Sequence, residues 1–268
     1  MSLVHALTAE QSRFRRWTLY LFARYLEMPV LGWSYQLLRG RYRHIGAIRA
    51  VRAALGWGAA MPFAYLGDTA RPLPTPQVLR LIDALEGPIA VGPCRCRAAH
   101  QGCDHPLETD LVIRTGVEAF AHAFPRDYRP VGKEEAKAIV SESSRLGMWQ
   151  MVFVHCPVHE HGAAPSKGLD MFRGRPGNEY VICNCCRCGC VPYIVNRELG
   201  RRVHPLLRGP YTAHTDLARC TGHGGCVTAC PFGVRAMDGG KVRLVASCFG
   251  CGVCVAACPQ GAIQMREV

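Results

Sequence analysis

At 268 residues, with sixteen cysteines and a formal charge of +12, the chain can bury a sizeable core and divide into more than one domain. Its longest uncharged run, Ala53 to Gly67, is about 15 residues and is broken by Gly56, Gly58 and Pro62, short of the roughly 20 that cross a bilayer. The cysteines crowd into C-x-C and C-x2-C units, which suit metal better than disulfides, and no signal peptide is evident, so a cytoplasmic setting is expected, possible membrane contact being peripheral.

Residues 1–68 read as a helical arm rich in arginine and aromatics. In the first sixty residues nine arginines stand against Glu10 and Glu27, a net charge of +7. Trp17, Tyr20, Phe22, Trp33 and Tyr35 are interleaved with them, and Ile45, Ile48, Val51 and Leu55 recur at helical spacing. Such an arm either packs its apolar side on the rest of the protein or docks on an anionic membrane face or an acidic redox partner.

Residues 69–214 form a cysteine-rich α/β region. Pro72, Pro74 and Pro76 mark a linker, and Thr75 is a candidate cap for a helix whose apolar face is Val78, Leu79, Ile82 and Leu85. Cys94 and Cys96 follow in a P-C-x-C-R block, then Cys103 and Asp110 in C-D-H-P-L-E-T-D, with a helical run expected up to Phe124. Lys133 to Leu146 reads as an amphipathic helix, Met151 to Val154 and Tyr180 to Ile182 as short strands. The second strand delivers Cys183, Cys185, Cys186, Cys188 and Cys190.

Two metal constellations are therefore expected here. Cys94, Cys96, Cys103 and Asp110 can form an oxygen-assisted cluster site, labile or open to a ligand because a carboxylate is a harder donor than a thiolate. The other reading of Asp110 is a solvated helix residue. Cys183 to Cys190 can hold a further cube or a zinc ion. Arg95, Arg97 and Arg187 sit beside these sulfurs, where positive charge favours thiolates and offsets the charge of a cluster. His155, Cys156, His159 and His161 form a weaker set, since Pro157 opposes a helix there, and surface histidines are expected.

The last stretch writes one spacing twice. The second copy is Cys248-x2-Cys251-x2-Cys254-x3-Cys258-Pro259, and the first is Cys220-x2-His223-x2-Cys226-x3-Cys230-Pro231, with histidine in a thiolate's place. Gly222, Gly224 and Gly233 recur as Gly250, Gly252 and Gly261, supplying the backbone freedom a loop needs to curl around a cluster. The spacing fits iron-sulfur cubes better than zinc. Asp238-Gly239-Gly240-Lys241 between the copies reads as the turn of a small hairpin.

From Thr215 to Val268 the sequence resembles a bacterial two-cluster ferredoxin. The resemblance implies one [4Fe-4S] cluster on Cys248, Cys251, Cys254 and Cys230, and another on Cys220, Cys226 and Cys258 with His223. If His223 is instead an exposed loop residue, three cysteines remain for a [3Fe-4S] cluster or a cube with an open iron. The P-C-x-C-R, C-D-H-P-L-E-T and I-C-N-C-C blocks together resemble a little-characterised family of iron-sulfur proteins that end in a ferredoxin module. Its members tend to carry cysteine where this chain has Asp110 and Gly189.

The expected fold is α+β, a mostly helical amino-terminal region followed by a ferredoxin-like two-cluster module at residues 215–268. No G-x-G-x-x-G or G-x-x-x-x-G-K-[ST] motif marks a nucleotide site. The expected role is one-electron relay between a donor and an acceptor protein, through the two ferredoxin clusters and one or two more in the middle region, with no nucleic acid bound. Reduction of a small substrate at an open cluster, and a structural or nucleic-acid-binding role, are the alternatives.

Overall fold

The computed structural model describes residues 21, 25–55, 71–113, 117, 124–155, 179–199, 206 and 208–268, with the side chains of 153–155 and 179–180 left out of account. Its centre is a six-stranded antiparallel sheet. In chain order the strands are β1 (Arg71–Leu73), β2 (Ile89–Pro93), β3 (Glu108–Ile113), β4 (Arg129–Val131), β5 (Trp149–His155) and β6 (Glu179–Cys185), arranged β1-β5-β6-β3-β2-β4. The linker expected at Pro72 is largely the edge strand β1. Proline is tolerated there because an edge strand leaves one row of backbone groups unpaired.

Before the sheet come α1 (Glu27–Leu38) and the single turn α2 (Arg43–Gly46), followed by helical residues 49–55. Leu31 and Ser34 bury one side of α1, while Trp33, Ile45 and Ile48 stay exposed. Helices α3 (Thr75–Ala84) and α5 (Lys133–Arg145) cover one sheet face, and the short α4 (Arg95–His100) follows β2. Thr75 does not cap α3. Pro74 holds the cap position, and the Thr75 hydroxyl instead meets Ser144 Oγ at 2.9 Å and Gln150 Oε1 at 2.8 Å.

Alternation along the strands decides which residues meet which layer. Leu111, Ile113, Val152 and Ile182 join Val78, Ile82, Ala136 and Val140 in the core beneath α3 and α5. The opposite face carries Trp149, Met151, Cys183 and Cys185 and packs on α6 (Val191–Leu199) and on the carboxyl-terminal module through Tyr193, Phe232 and Phe249. Asp110 alternates with Leu111 and so shares the face of Val112 and of the cysteines. It is a buried strand residue, 4% exposed, not a solvated helix residue, and the run expected to be helical opens as β3.

The carboxyl-terminal module pairs β7 (Tyr211–Thr215) with β10 (Ile263–Glu267) and β8 (Arg235–Asp238) with β9 (Lys241–Leu244), with α7 (Gly225–Ala229) and α8 (Val253–Ala256) between them. The hairpin over Asp238 to Lys241 forms as its turn sequence requires. Gly222 and Gly250 occupy equivalent left-handed positions, φ +76° and +84°, where a Cβ would strike the Gly240 and Tyr211 carbonyls. The observed class is α+β. Among the described residues no helix is long and apolar enough to cross a membrane.

Candidate metal centres

The first thiol group lies on the sheet face opposite α3 and α5. Cys94 holds the cap position of α4, Cys96 stands in its first turn, Cys183 and Cys185 come from β6, and Cys190 immediately precedes α6. The strand register explains part of this meeting. Leu111 pairs with Ile182, so continuing the ladder brings Asp110 to Cys183, whose Sγ donates to Asp110 Oδ2 at 3.5 Å. The thiols of Cys94 and Cys96, of Cys96 and Cys190, and of Cys190 and Cys185 interact in turn.

This group strongly resists ionising by itself. Cys94 is held well above the ordinary thiol range by its hydrogen bond to Cys96 and then by burial. Cys183 is raised by burial and by the neighbouring Asp110. Cys185, pulled down by Cys190 and pushed up by burial, ends at about 12. Such a set becomes thiolate only against a concentrated positive charge, which a bound metal or cluster supplies. Burial also raises the Asp110 carboxyl, although Arg97 opposes it. The amides of Asn184 and Arg95 approach this carboxylate, yet Oδ1 is buried without a full hydrogen bond and remains available as an oxygen donor.

Cys103 does not join this group. It crosses to the turn after β6, where Cys103, His105, Cys186 and Cys188 place one ligand atom each within 4.8 Å of one another. Sequence reasoning paired Cys103 with Cys94 and passed over His105. The available signal was the Cys103-x-His105 spacing beside a second C-x-C, Cys186-x-Cys188. The parity of β6 turns Cys183 and Cys185 to one side and Asn184 to the other, and Cys186, just past the end of the strand, joins the second group.

Arg97 lies next to the second group, 2% exposed. Its Nη1 donates to Asn184 O at 2.9 Å and lies 3.7 Å from Cys186 Sγ, and Nη2 meets Thr109 Oγ1. Burial works against its charge, but Cys94, Asp110 and Cys186 around it keep it firmly protonated. Arg95 forms an ion pair with Glu27 of α1 at 3.0 Å and stacks over the Phe124 ring at 4.1 Å. Arg187 donates to Thr228 O at 2.8 Å, bridging to the carboxyl-terminal module.

In that module, Cys220, His223, Cys226 and Cys258 line one pocket together with Thr215, Val242 and Ile263. His223 Nε2 lies 3.3 Å from the Ala257 carbonyl. Cys230, Cys248, Cys251 and Cys254 form the second set, close enough for Cys251 and Cys254 each to feel the charge of Cys230 and Cys248. Burial raises Cys254 to about 11 against the pull of Arg235. The Arg235 guanidinium, on a residue 4% exposed, donates from Nη1 to Cys254 Sγ at 3.5 Å. The fourth cysteine of each repeat thus stands with the other repeat's loop.

Of the weaker histidine set, only the backbone of His155 is described, at the end of β5. Cys156, His159 and His161 lie outside the described residues.

Comparison with known proteins places the carboxyl-terminal part. No curated protein and no solved structure matches the chain. Residues 212–259 match the family model of the 4Fe-4S dicluster domain, which identifies this part of the chain as a ferredoxin-like iron-sulfur module.

Proposed function

We propose that the protein relays single electrons between a donor and an acceptor protein, through two [4Fe-4S] clusters in the carboxyl-terminal module and a further iron-sulfur cluster in the middle region. In this reading one ferredoxin cluster takes Cys230, Cys248, Cys251 and Cys254. The other takes Cys220, Cys226, Cys258 and His223. The middle cluster takes its ligands from Cys94, Cys96, Cys183, Cys185 and Cys190, with Asp110 at its edge.

One observation carries the relay. Cys185 and Cys190 of the middle group and Cys230 and Cys251 of the module belong to a single buried apolar cluster. Trp149, Tyr193, Phe232 and Phe249 fill it, with Trp149 5.2 Å from Tyr193 and Phe232 4.2 Å from Phe249 between ring centroids. The Tyr193 hydroxyl donates to Pro231 O at 2.6 Å, beside Cys230. A dry, tightly packed wall shared by two groups of cluster ligands suits electron transfer between them. The protein's part is to set potentials through ligand identity, nearby charge and exclusion of water.

His223 supports the ligand assignment by its surroundings. A ring that donates one N–H to a backbone carbonyl, here that of Ala257, is fixed in the tautomer that presents its other nitrogen to a metal. The exposed Tyr25, Trp33 and Ile48 among the arginines of the amino-terminal arm offer a docking face for a redox partner or an anionic membrane surface.

A second reading rests on Asp110, whose unpaired Oδ1 would leave one iron of the middle cluster weakly held and open to a small substrate. Anaerobic purification with iron and sulfide counts and an EPR-monitored redox titration tests the main reading. About twelve irons in three titrating centres are expected. A count of about eight would remove the middle cluster, and an EPR signal altered by added small oxidants would favour the open site.

A further inference from the structure

We infer that Cys103, His105, Cys186 and Cys188 hold a single zinc ion, a closed tetrahedral site separate from the cluster beside it. The inference rests on the middle-region reading only in that it takes these four residues out of the pool of cluster ligands.

The separations decide the nuclearity. Cys103 Sγ lies 3.3 Å from His105 Nδ1 and 3.5 Å from Cys186 Sγ. Cys188 Sγ lies 3.3 Å from the same Nδ1 and 3.4 Å from Cys186 Sγ, and the Cys103 and Cys188 sulfurs are so close that the structure joins them as a disulfide, which zinc would replace with two thiolates. Four thiolates at about 2.3 Å from one zinc stand about 3.8 Å apart along the edges of the tetrahedron, so these atoms are gathered around a point. A cube needs its thiolates on four different irons, well apart. The carboxyl-terminal module shows the contrast within the same molecule: among the described residues, no three of its cysteine and histidine ligand atoms close to within 4.8 Å.

The chemistry selects the metal. Three sulfurs and one imidazole match a Cys3His structural zinc set, and the four positions are filled by the protein, leaving none for substrate. On binding, the three thiols release their protons to solvent and the site carries about −1 in all. Arg97 stands at 3.7 Å from the Cys186 sulfur to balance it. Cys186 is buried and the other three ligands are partly so.

The location gives the ion its task. Cys103 and His105 belong to the loop between α4 and β3, Cys186 and Cys188 to the turn between β6 and α6. Tying them together fixes the two segments that also deliver Cys96 and Cys190 to the neighbouring cluster. Zinc has no redox chemistry of its own, so this centre staples the relay without taking part in it.

The test is metal analysis of the full chain purified anaerobically. About one zinc per chain is expected alongside the irons, with X-ray absorption at the zinc edge showing about three sulfurs at 2.3 Å and one nitrogen at 2.0 Å. His105→Ala and Cys186→Ser should each lose the zinc and keep the iron, whereas Cys94→Ser should lose iron and keep the zinc. Zinc-free protein with about sixteen irons would overturn the proposal, as would a Cys103–Cys188 disulfide found by mass spectrometry in zinc-free protein, or zinc retained in Cys186→Ser. About eight irons with one zinc would leave the zinc site standing and remove the middle cluster instead.

Discussion

Arg97 Nη1 stands 2.9 Å from the carbonyl of Asn184 and 3.7 Å from the sulfur of Cys186, so one buried guanidinium serves both the strand and the thiol next to it. Asn184 continues the connection through its side chain, which donates to Thr109 O at 2.7 Å and accepts from Gln150 Nε2 at 3.0 Å. Gln150 and Asn184 are fully buried and Thr109 nearly so. A polar seam therefore runs from Thr75 through the sheet to the thiols.

Removing Arg97 breaks that seam where no water can repair it. Arg97→Met should cost about 3–5 kcal/mol of stability, the range for deleting one partner of a buried charged network. Arg97→Lys should recover part of it, keeping the charge but losing the fork of donors. Urea unfolding of the metal-loaded proteins measures both. A loss under about 0.5 kcal/mol would mean that the network contributes nothing.

Gly189 is a steric requirement of the same neighbourhood. A Cβ there would lie 2.6 Å from Arg97 Cγ and 3.2 Å from Cys186 Sγ, both on buried side chains. Gly189→Ala should destabilise by about 1–3 kcal/mol and lower metal occupancy at Cys186. Thermal melting with parallel metal analysis would show it. Unchanged values would mean that the turn yields more easily than its packing suggests.

At the carboxyl-terminal module two substitutions should move different potentials. His223→Cys adds a negative charge to one cluster and should lower its potential by on the order of 100 mV, leaving the others in place. An unmoved redox titration would count against histidine ligation.

Arg235→Leu removes a buried cation and an N–H···S contact from Cys254. The potential of the cluster held by Cys254 should fall, because the reduced cluster carries one more negative charge and loses more stabilisation. The signal sensitive to His223→Cys should stay where it is. One shared shift in both variants would contradict the separate assignment.

His100 makes stability depend on pH. Its ring stacks on Tyr35 at 3.7 Å, Nε2 meets the Gly189 carbonyl at 3.0 Å and Nδ1 accepts from Gly102 N at 2.9 Å. Burial lowers its pKa from 6.5. A native pKa below the unfolded one means that the unfolded chain binds the proton more readily. Stability is then full above about pH 6.5 and is lost as the pH falls through the native value. In His100→Gln the slope of stability against pH below 6.5 should flatten, which denaturant titrations at several pH values would detect.

The sequence made the carboxyl-terminal module legible because its ligands sit at fixed short spacings with glycines between them, and local geometry determines almost everything there. Helix α5 and the β8–β9 hairpin were readable for the same local reason. The middle sites were only partly so. Cys94 and Cys96 lie close in sequence to Cys103, and nothing in the spacing reveals that the loop after α4 carries Cys103 across to Cys186. The burial of Asp110 required knowing that its segment is a strand, and Glu108-Thr109-Asp110 carries too little apolar alternation to show one. Thr75 has the residue type of a helix cap, but tertiary partners on α5 and β5 claimed its hydroxyl.

Cys185 and Cys186 are consecutive, yet Cys185, the last residue of β6, meets the first thiol group while Cys186, just past the strand, joins Cys103, His105 and Cys188. Sorting at this point rests on where β6 ends, so inserting one residue between Cys183 and Cys185 would change which of the following sulfurs the strand turns toward the first thiol group. Substitutions can change how well either proposed site holds its metal, whereas a single-residue shift in length would change which site Cys185 or Cys186 can reach.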